Sequence, residues 1–228
     1  PLLQSLAIGY FFGGLSYWIN PKINIDLVRY LEDVVPYMNM SFSDFWRYAT
    51  TSTILPGKHV LFYLAGITGD AHVLPFISTS IAYSIIYYVS FDYAYLLDLS
   101  NSQKSRLVLY LLAFVPFLNI SSNVRNIVAF SIFLLAVYRD IVEGKKRNLI
   151  TWLLYILPIT IHIAAIMLVA MRLIIPVIKN DNVKLWKRVL FVVIVLGGLL
   201  TLLYVIEARP TSLPARYYRY VFGKADRI

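Results

Sequence analysis

Long apolar runs separated by short polar stretches dominate the chain. The runs cover residues 2–19, 58–68, 73–91, 107–118, 125–138, 149–175 and 189–206. A helix needs roughly 20 apolar residues to cross the hydrocarbon core of a bilayer. The pattern therefore predicts an all-α integral membrane protein with about six or seven transmembrane helices, in which residues 1–228 form a single polytopic membrane domain.

Residues 20–57 form the most polar part of the first half. Within them, residues 26–35 have helical periodicity: aliphatic side chains fill one arc, and Asp26, Arg29, Tyr30, Glu32 and Asp33 fill the other. Pro36 ends this helix, and Ser43 can cap a second short one. The pattern predicts short amphipathic helices at the membrane surface, within an extracytoplasmic loop.

The distribution of basic residues predicts the orientation. Cytoplasmic loops carry an excess of Lys and Arg, which places the basic loop 139–148 and the basic tail 207–228 in the cytoplasm. Counting spans from that loop places 119–124 and 20–57 outside. The basic loop 176–188 falls outside in the same count and disagrees with the rule.

Composition excludes a cytosolic globular enzyme. Hydrophobic residues make up 59% of the chain and charged residues 14%, against about 25% charged in soluble domains. The net charge is +9, but the basic residues lie between apolar runs. We therefore expect phospholipid headgroups or an anionic substrate as partners, and no nucleic acid. Because the chain begins with Pro1, we expect it to be part of a longer protein.

Several motifs of other membrane proteins are missing. The sequence has no P-loop, no HExxH and no DxD motif, and it contains no cysteine. These absences argue against an ATP-driven pump, a zinc protease and a metal-assisted nucleotide-sugar transferase. We also find no paired halves of an inverted-repeat transporter. We expect neither a metal nor a cofactor.

Arg125 is the first candidate for chemistry. It stands at the predicted outer end of a span, beside Asn123 and among further polar residues. A guanidinium matches phosphate oxygens bidentately, and an outer arginine departs from the positive-inside rule. This combination suits a diphosphate, with Asn123 as an additional donor. The alternative is an interfacial arginine that reaches the headgroups and has no further role.

His162 lies inside the predicted span 149–175, in its outer half. Ionisable groups within a membrane are costly and are therefore candidates for functional sites. An imidazole can donate to phosphate or act as a general base. Arg172, further along the same predicted helix, can face the same cavity. The alternatives are a hydrogen-bonded packing histidine and an interfacial anchor arginine.

The polar arc of the predicted surface helix supplies the remaining candidates. Asp26, Arg29 and Tyr30 lie on it, and Arg47 and His59 follow in the chain. A carboxylate and cations above a membrane site can activate and bind a substrate. A solvated helix face with an i,i+3 ion pair explains the same pattern.

Several short motifs together resemble the EpsG-type branch of bacterial polysaccharide polymerases. The stretch SNVRNIVA at 122–129 gives an arginine with an alanine four positions later, and IHIAAI at 161–166 follows after a span and a basic turn. The family's Asp-x-x-Arg-Tyr pattern matches residues 26–30, and a Leu-Pro-Gly step stands at 55–57. The resemblance covers roughly residues 20–172.

This resemblance implies a Wzy-type polymerase with a GT-C-like membrane fold, in the bacterial cytoplasmic membrane. Such enzymes join oligosaccharide repeat units carried on undecaprenyl diphosphate at the outer face, and the diphosphate is the leaving group. Implied partners are the lipid-linked oligosaccharide, membrane lipid, and chain-length regulator and flippase proteins. We expect Arg125, His162 and Asp26 to be catalytic. We expect the substrate to be bound by Arg29, Tyr30, Arg47, Asn123 and Arg172.

Three other functions stay open at this point. A transporter or flippase of the same lipid-linked glycan would use the same cations without forming a bond. A non-catalytic subunit of a polysaccharide-export complex fits the short chain. A ligase that moves finished polymer onto another lipid is chemically close to a polymerase.

Overall fold

The computed structural model describes residues 1–20, 25–51, 55–145, 148–179, 184, 186–187, 189–195 and 197–198. Within these residues the chain is helical and contains no β-strand, which confirms the all-α prediction. The helices are α1 (Leu2–Tyr17), α2 (Ile25–Val34), α3 (Phe42–Thr51), α4 (Pro56–Gly66), α5 (Val73–Leu96), α6 (Asn101–Phe114), α7 (Phe117–Ser122), α8 (Val124–Ile141), α9 (Leu149–Ile161) and α10 (Ala165–Lys179), with a 3-10 turn at Val35–Tyr37. The chain divides into two compact units, residues 1–165 and 166–228.

One described helix is long and apolar enough to cross a membrane. It is α5, with 24 residues, and the apolar segments Leu149–Ile161 and Ala165–Ile175 are shorter. The expected six or seven transmembrane helices are therefore not confirmed. The predicted tail 207–228 and half of the predicted last span, 189–206, lie outside the described residues.

Small residues bring α1 close to α5. A Cβ on Gly9 would lie 2.5 Å from the Ser80 carbonyl oxygen, and one on Gly13 would lie 2.8 Å from the Phe76 carbonyl oxygen. The two helices run antiparallel, since residue numbers rise on one as they fall on the other. Glycines four apart form such faces in membrane helices, and here they fix the distance between two backbones.

Helices α5, α8 and α9 continue this packing in sequence. The Tyr138 hydroxyl donates to Asp92 across 2.5 Å, which joins the C-terminal parts of α8 and α5. The Tyr155 hydroxyl donates to Asp140 across 2.8 Å and joins α9 to α8. These contacts make α5 parallel to α8 and α8 antiparallel to α9. The N-terminus of α8 and the C-terminus of α9 therefore lie at the same end of the first unit.

The short helices α2, α3 and α4 pack at that same end. The apolar face of α2 is buried through Leu27 and Val34, in one core cluster with Phe62 of α4 and Val124 of α8. This confirms the amphipathic helix predicted over 26–35, which ends before Pro36 as expected. Tyr30, which the periodicity assigned to the polar arc, is buried in the same cluster because its ring packs against Phe62, so that assignment was wrong. Because the apolar face needs a partner and the polar face does not, α2 presents its charged side chains toward the end of the bundle.

Two predicted connections are helical instead. The apolar run from residue 73 was expected to end at 91, but α5 continues to Leu96, and the chain turns only at Asp98, where φ is +50°. The new helix α6 starts with a capping box in which Ser100 and Gln103 bond each other's backbone N–H. Aromatic and aliphatic residues after 91 outweigh the single Asp92 and extend α5.

The polar segment 119–122, between two predicted spans, is also helical, with Asn123 as its C-cap. It forms the second half of α7, which Pro116 precedes. Proline fixes φ near its helical value and is favourable at a helix start. Further upstream, Ser41 and not Ser43 caps α3, because the Ser41 hydroxyl accepts from the Asp44 N–H at 3.1 Å.

Candidate functional site

Arg125 lies at the end of the first unit where α2 and α4 meet α8. Its guanidinium donates to the Tyr30 hydroxyl from Nε at 3.3 Å and from one terminal nitrogen at 3.2 Å. The same guanidinium lies 5.0 Å from the Tyr30 ring centre. Tyr30 is 3% exposed, so it is a fixed support. Arg125 and Tyr30 were both predicted to be site residues. They stand 95 positions apart in the sequence, and the structure brings them into contact.

Arg125 keeps donors for a ligand. A guanidinium has more N–H groups than the Tyr30 hydroxyl can accept, and among the described residues Tyr30 is its hydrogen-bond partner. The side chain is partly buried and stands in the first turn of α8. Backbone N–H groups and the helix dipole also favour an anion at this position.

Lys58 adds a second cation that the sequence analysis did not single out. Its Nζ lies 3.7 Å from an Asp33 oxygen, and its side chain is 20% exposed. Burial lowers the pKa of Lys58, the Asp33 carboxylate opposes that shift, and the Arg125 guanidinium adds to it. Lys58 therefore interacts electrostatically with both Asp33 and Arg125.

His59, the next residue, is buried and belongs to the support of the site. Its Nδ1 forms a hydrogen bond with the Tyr37 hydroxyl, and its ring packs edge-on against Tyr48 at 5.1 Å. Burial, followed by the Lys58 and Arg125 charges, lowers the pKa of His59 to about 4. A neutral His59 next to two cations is consistent with a locally positive field.

His162 stands at a break in a helix that the sequence predicted to be continuous. The expected span 149–175 divides into α9 and α10, and His162 has extended backbone angles, φ −144° and ψ 120°. Pro158 precedes the break, and its carbonyl accepts from the His162 N–H at 2.9 Å. The His162 ring packs edge-on against Phe130 of α8 at 6.0 Å. The prediction of one long helix was wrong because the backbone leaves the helical conformation at His162.

Gly57 brings the start of α4 next to this break. A Cβ there would lie 2.3 Å from Thr160 Oγ1 and 2.9 Å from an Ile161 side-chain carbon. Lys58 and His59 directly follow this close contact. The structure therefore gathers Tyr30, Arg125, Lys58 and the His162 break at one end of the first unit.

Other predicted residues have local partners. Asp26 and Arg29 form an ion pair of 3.0 Å on α2, and Arg29 also lies 5.5 Å from the Tyr30 ring centre. Arg47 forms an ion pair of 2.6 Å with Asp44 on α3. The roles of Asp26, Arg29 and Arg47 stay predictions.

The remaining predicted donors are engaged or lie elsewhere. The Asn123 side-chain nitrogen donates to the Asn119 carbonyl at 3.0 Å. The Ser121 and Ser122 hydroxyls bond carbonyls of their own helix, α7. Arg172 lies on α10 in the second unit, so its role also stays a prediction.

Asp33 and Lys58 are the residues that sequence reasoning missed as site residues. Asp33 shares the polar arc of α2 with Asp26, one turn beyond Tyr30, and nothing in the sequence ranks one carboxylate above the other. Lys58 follows the Pro56-Gly57 step at the start of α4. A close backbone approach at Gly57 was the available signal, but its partner could not be read from the sequence.

The EpsG family model matches residues 40–227, which is most of the chain. The chain belongs to the EpsG family. No curated protein and no solved structure gives a significant match. The matched range contains Arg125, Lys58 and His162, and it begins after α2.

The EpsG family is a polysaccharide polymerase family, and membership of it assigns this chain to that class. It indicates a polymerase-like role in polysaccharide biosynthesis and association with a membrane, in line with the apolar helix α5. The end of the first unit that carries Arg125 and Lys58 is the candidate site of this EpsG-family chain.

Proposed function

We propose that this EpsG-family protein joins oligosaccharide repeat units carried on undecaprenyl diphosphate, at the outer face of the bacterial cytoplasmic membrane. The sugar chain of one lipid-linked unit is transferred to the end of another, and undecaprenyl diphosphate leaves. The protein then crosses the membrane several times, with α2, α3 and α4 on the outer side. It acts without a metal, with membrane lipid around it and chain-length regulator and flippase proteins as partners.

The arrangement of Arg125 carries this proposal. Negative charge develops on the diphosphate as its bond to the sugar breaks, and fixed donors that face this charge lower the barrier. Arg125 is held by the buried Tyr30 and retains N–H groups for phosphate oxygens. Lys58 contributes a second positive charge to the same region.

The acceptor hydroxyl also needs a base. The sequence proposes Asp26 or His162, and both stand at this end of the first unit. His162 lies where the helix is broken, which gives its ring room beside Phe130. Asp26 is on the polar face of α2, in an ion pair with Arg29. Arg29 and Tyr30 then belong to the substrate-binding set, with Arg47, Asn123 and Arg172 as its further proposed members.

The first experiment replaces Arg125 in cells that depend on this protein for their polysaccharide. We compare Arg125→Ala and Arg125→Lys with the native protein at matched membrane levels. Arg106→Ala is the control, since Arg106 is an exposed residue of α6. Polymer length is measured by gel electrophoresis, and lipid-linked single units are measured on each face of the membrane.

Arg125→Ala should abolish long polymer and leave exported single units at the outer face. Arg125→Lys should keep a part of the activity, because an ammonium retains the charge and loses the guanidinium fork. Single units confined to the cytoplasmic face would indicate a transporter, and accumulated free polymer would indicate a ligase. Loss of a membrane complex with normal turnover of the remaining enzyme would indicate a non-catalytic subunit. Each of these three results, or an unchanged polymer length, would overturn the proposal.

A further inference from the structure

We infer that Asp33 is the base that activates the acceptor hydroxyl, and that Lys58 holds it and provides the second cation for the diphosphate. This inference rests on the proposed function. It assigns a catalytic role to a residue that lies outside the family match and that the sequence did not separate from Asp26.

The position of Asp33 follows from two neighbours. Tyr30, one turn earlier on α2, contacts Arg125 through both its hydroxyl and its ring. Residues three apart on a helix lie on the same side, so Asp33 stands on the side of α2 that carries the Arg125 contact. Its carboxylate lies 3.7 Å from Lys58 Nζ, on the first turn of α4.

Lys58 connects the carboxylate to the cation site. Its Nζ lies 5.0 Å from the Phe62 ring centre, which fixes the ammonium on an apolar support. Phe62 in turn packs against the Tyr30 ring at 6.3 Å, and the Arg125 guanidinium lies over that ring at 5.0 Å. A negative base and two positive charges therefore occupy one region, as required for a hydroxyl that attacks a sugar bound to a diphosphate.

Asp33 is also accessible. Its side chain is 44% exposed, so the acceptor hydroxyl can reach the carboxylate. The proton that the carboxylate takes up can then leave to water. The distance to Lys58 exceeds that of a normal hydrogen bond, so the carboxylate can still accept from the acceptor hydroxyl. Asp26 differs because its oxygen lies 3.0 Å from Arg29, within direct hydrogen-bond reach of a guanidinium.

The reaction step is balanced as follows. The acceptor hydroxyl gives its proton to the Asp33 carboxylate, and its oxygen forms a bond to the anomeric carbon of the donor sugar. The bond from that carbon to the phosphate oxygen breaks, and its electron pair leaves with undecaprenyl diphosphate. Arg125 and Lys58 face the negative charge of this leaving group. The proton on Asp33 then passes to water.

The test uses the protein in proteoliposomes with lipid-linked repeat units extracted from cells. Asp33→Asn removes the base and keeps the size of the side chain, and Asp33→Glu restores a carboxylate. Asp98→Asn is the matched control, because Asp98 is exposed and its positive φ suits asparagine equally well. Asp26→Asn tests the rival base. Turnover is measured as chain elongation, and binding as the thermal shift caused by undecaprenyl diphosphate.

Asp33→Asn should lower turnover by about 10²–10⁴-fold, the usual contribution of a general base, and should keep the thermal shift. Asp33→Glu should recover at least about a tenth of native turnover, which a purely structural role would not produce. Native turnover in Asp33→Asn would overturn the inference, and loss in Asp26→Asn alone would assign the base to Asp26.

Arg125→Ala in the same assay separates this inference from the function it rests on. If Arg125→Ala loses turnover and the thermal shift while Asp33→Asn is normal, only the role of Asp33 fails. If Arg125→Ala keeps both, the diphosphate site itself fails, and the inference falls with it. If Asp33→Asn does not fold, normal turnover in Asp33→Glu supports a carboxylate at this position, and loss of turnover in a folded Asp33→Glu counts against it.

Discussion

Gly13→Ala is the sharpest test of how α1 is held against α5. The added Cβ would lie 1.9 Å from Ser80 Oγ and 2.8 Å from the Phe76 carbonyl oxygen. The Ser80 side chain can rotate away, but the carbonyl belongs to the backbone of α5 and cannot. The two helices must therefore separate, or the methyl group must be accommodated under strain.

Gly14→Ala provides the reference for the magnitude. Gly14 is the next residue of the same helix, and a Cβ there meets nothing within 4 Å. Both substitutions gain the same helix propensity, about 1 kcal/mol for Gly to Ala, so this contribution cancels in the comparison. The difference in unfolding free energy is then the overpacking cost alone, roughly 1–3 kcal/mol.

Both variants and the native protein should be compared in detergent by heating followed by size-exclusion chromatography. At about 2–4 °C per kcal/mol for a chain of this size, Gly13→Ala should melt roughly 2–12 °C below Gly14→Ala. Ser80→Ala in the Gly13→Ala background should recover a part of this loss, because it removes the nearest atom. Ser80 Oγ is buried and has no hydrogen-bond partner among the described residues, so Ser80→Ala alone should cost little.

Equal melting temperatures for the two alanine variants would refute the close contact between α1 and α5. A Gly13→Ala protein more stable than Gly14→Ala would do so as well. Absence of any recovery on Ser80→Ala would show that the backbone contact at Phe76 sets the whole cost.

Two further predictions concern the support of the site. Tyr30→Phe removes the oxygen that accepts from Arg125 and keeps the ring contact at 5.0 Å. A hydrogen bond to a charged group contributes about 1.5–3 kcal/mol, and solvent around Arg125 reduces this value, so polymer synthesis should fall about tenfold. Tyr10→Phe, at an exposed position of α1, is its control and should leave synthesis unchanged. The pKa of His59 is lowered from 6.5 to about 4, so the folded state favours the neutral ring. The stability that the neutral ring contributes is fully present above pH 6.5. It should be lost as the pH falls from 6.5 toward 4, by up to about 3 kcal/mol, and thermal unfolding of His59→Gln should lack this pH dependence. A native melting temperature that stays flat over that range would contradict the burial of His59.

Local rules predicted the local features well. The periodicity over 26–35 gave α2 and its buried apolar face, because one side of such a helix must leave water. Gly9 and Gly13 lie four positions apart, a spacing that suits close helix packing, but spacing alone does not identify the partner helix. The family motif around Arg125 and His162 agreed with the match over residues 40–227.

Lengths and ends of helices were predicted less well. Hydropathy alone merged α9 and α10 into one span, since both are apolar, and it ended α5 too early at the first carboxylate. Such boundaries depend on the backbone conformation at particular residues, such as the extended φ and ψ of His162. Average hydrophobicity over a window does not contain this information.

The sequence by itself determined the class of the protein: an apolar, helical, membrane-associated member of the EpsG family with an arginine suited to phosphate. Only the tertiary structure placed Arg125 on Tyr30, set Lys58 near both Arg125 and Asp33, and distinguished Asp33 from Asp26. The physical reason is that a helical pattern specifies which face is buried but not which helix covers it. Of the carboxylates on this polar face, Asp33 is the one that lies near Lys58, because α4 packs against α2.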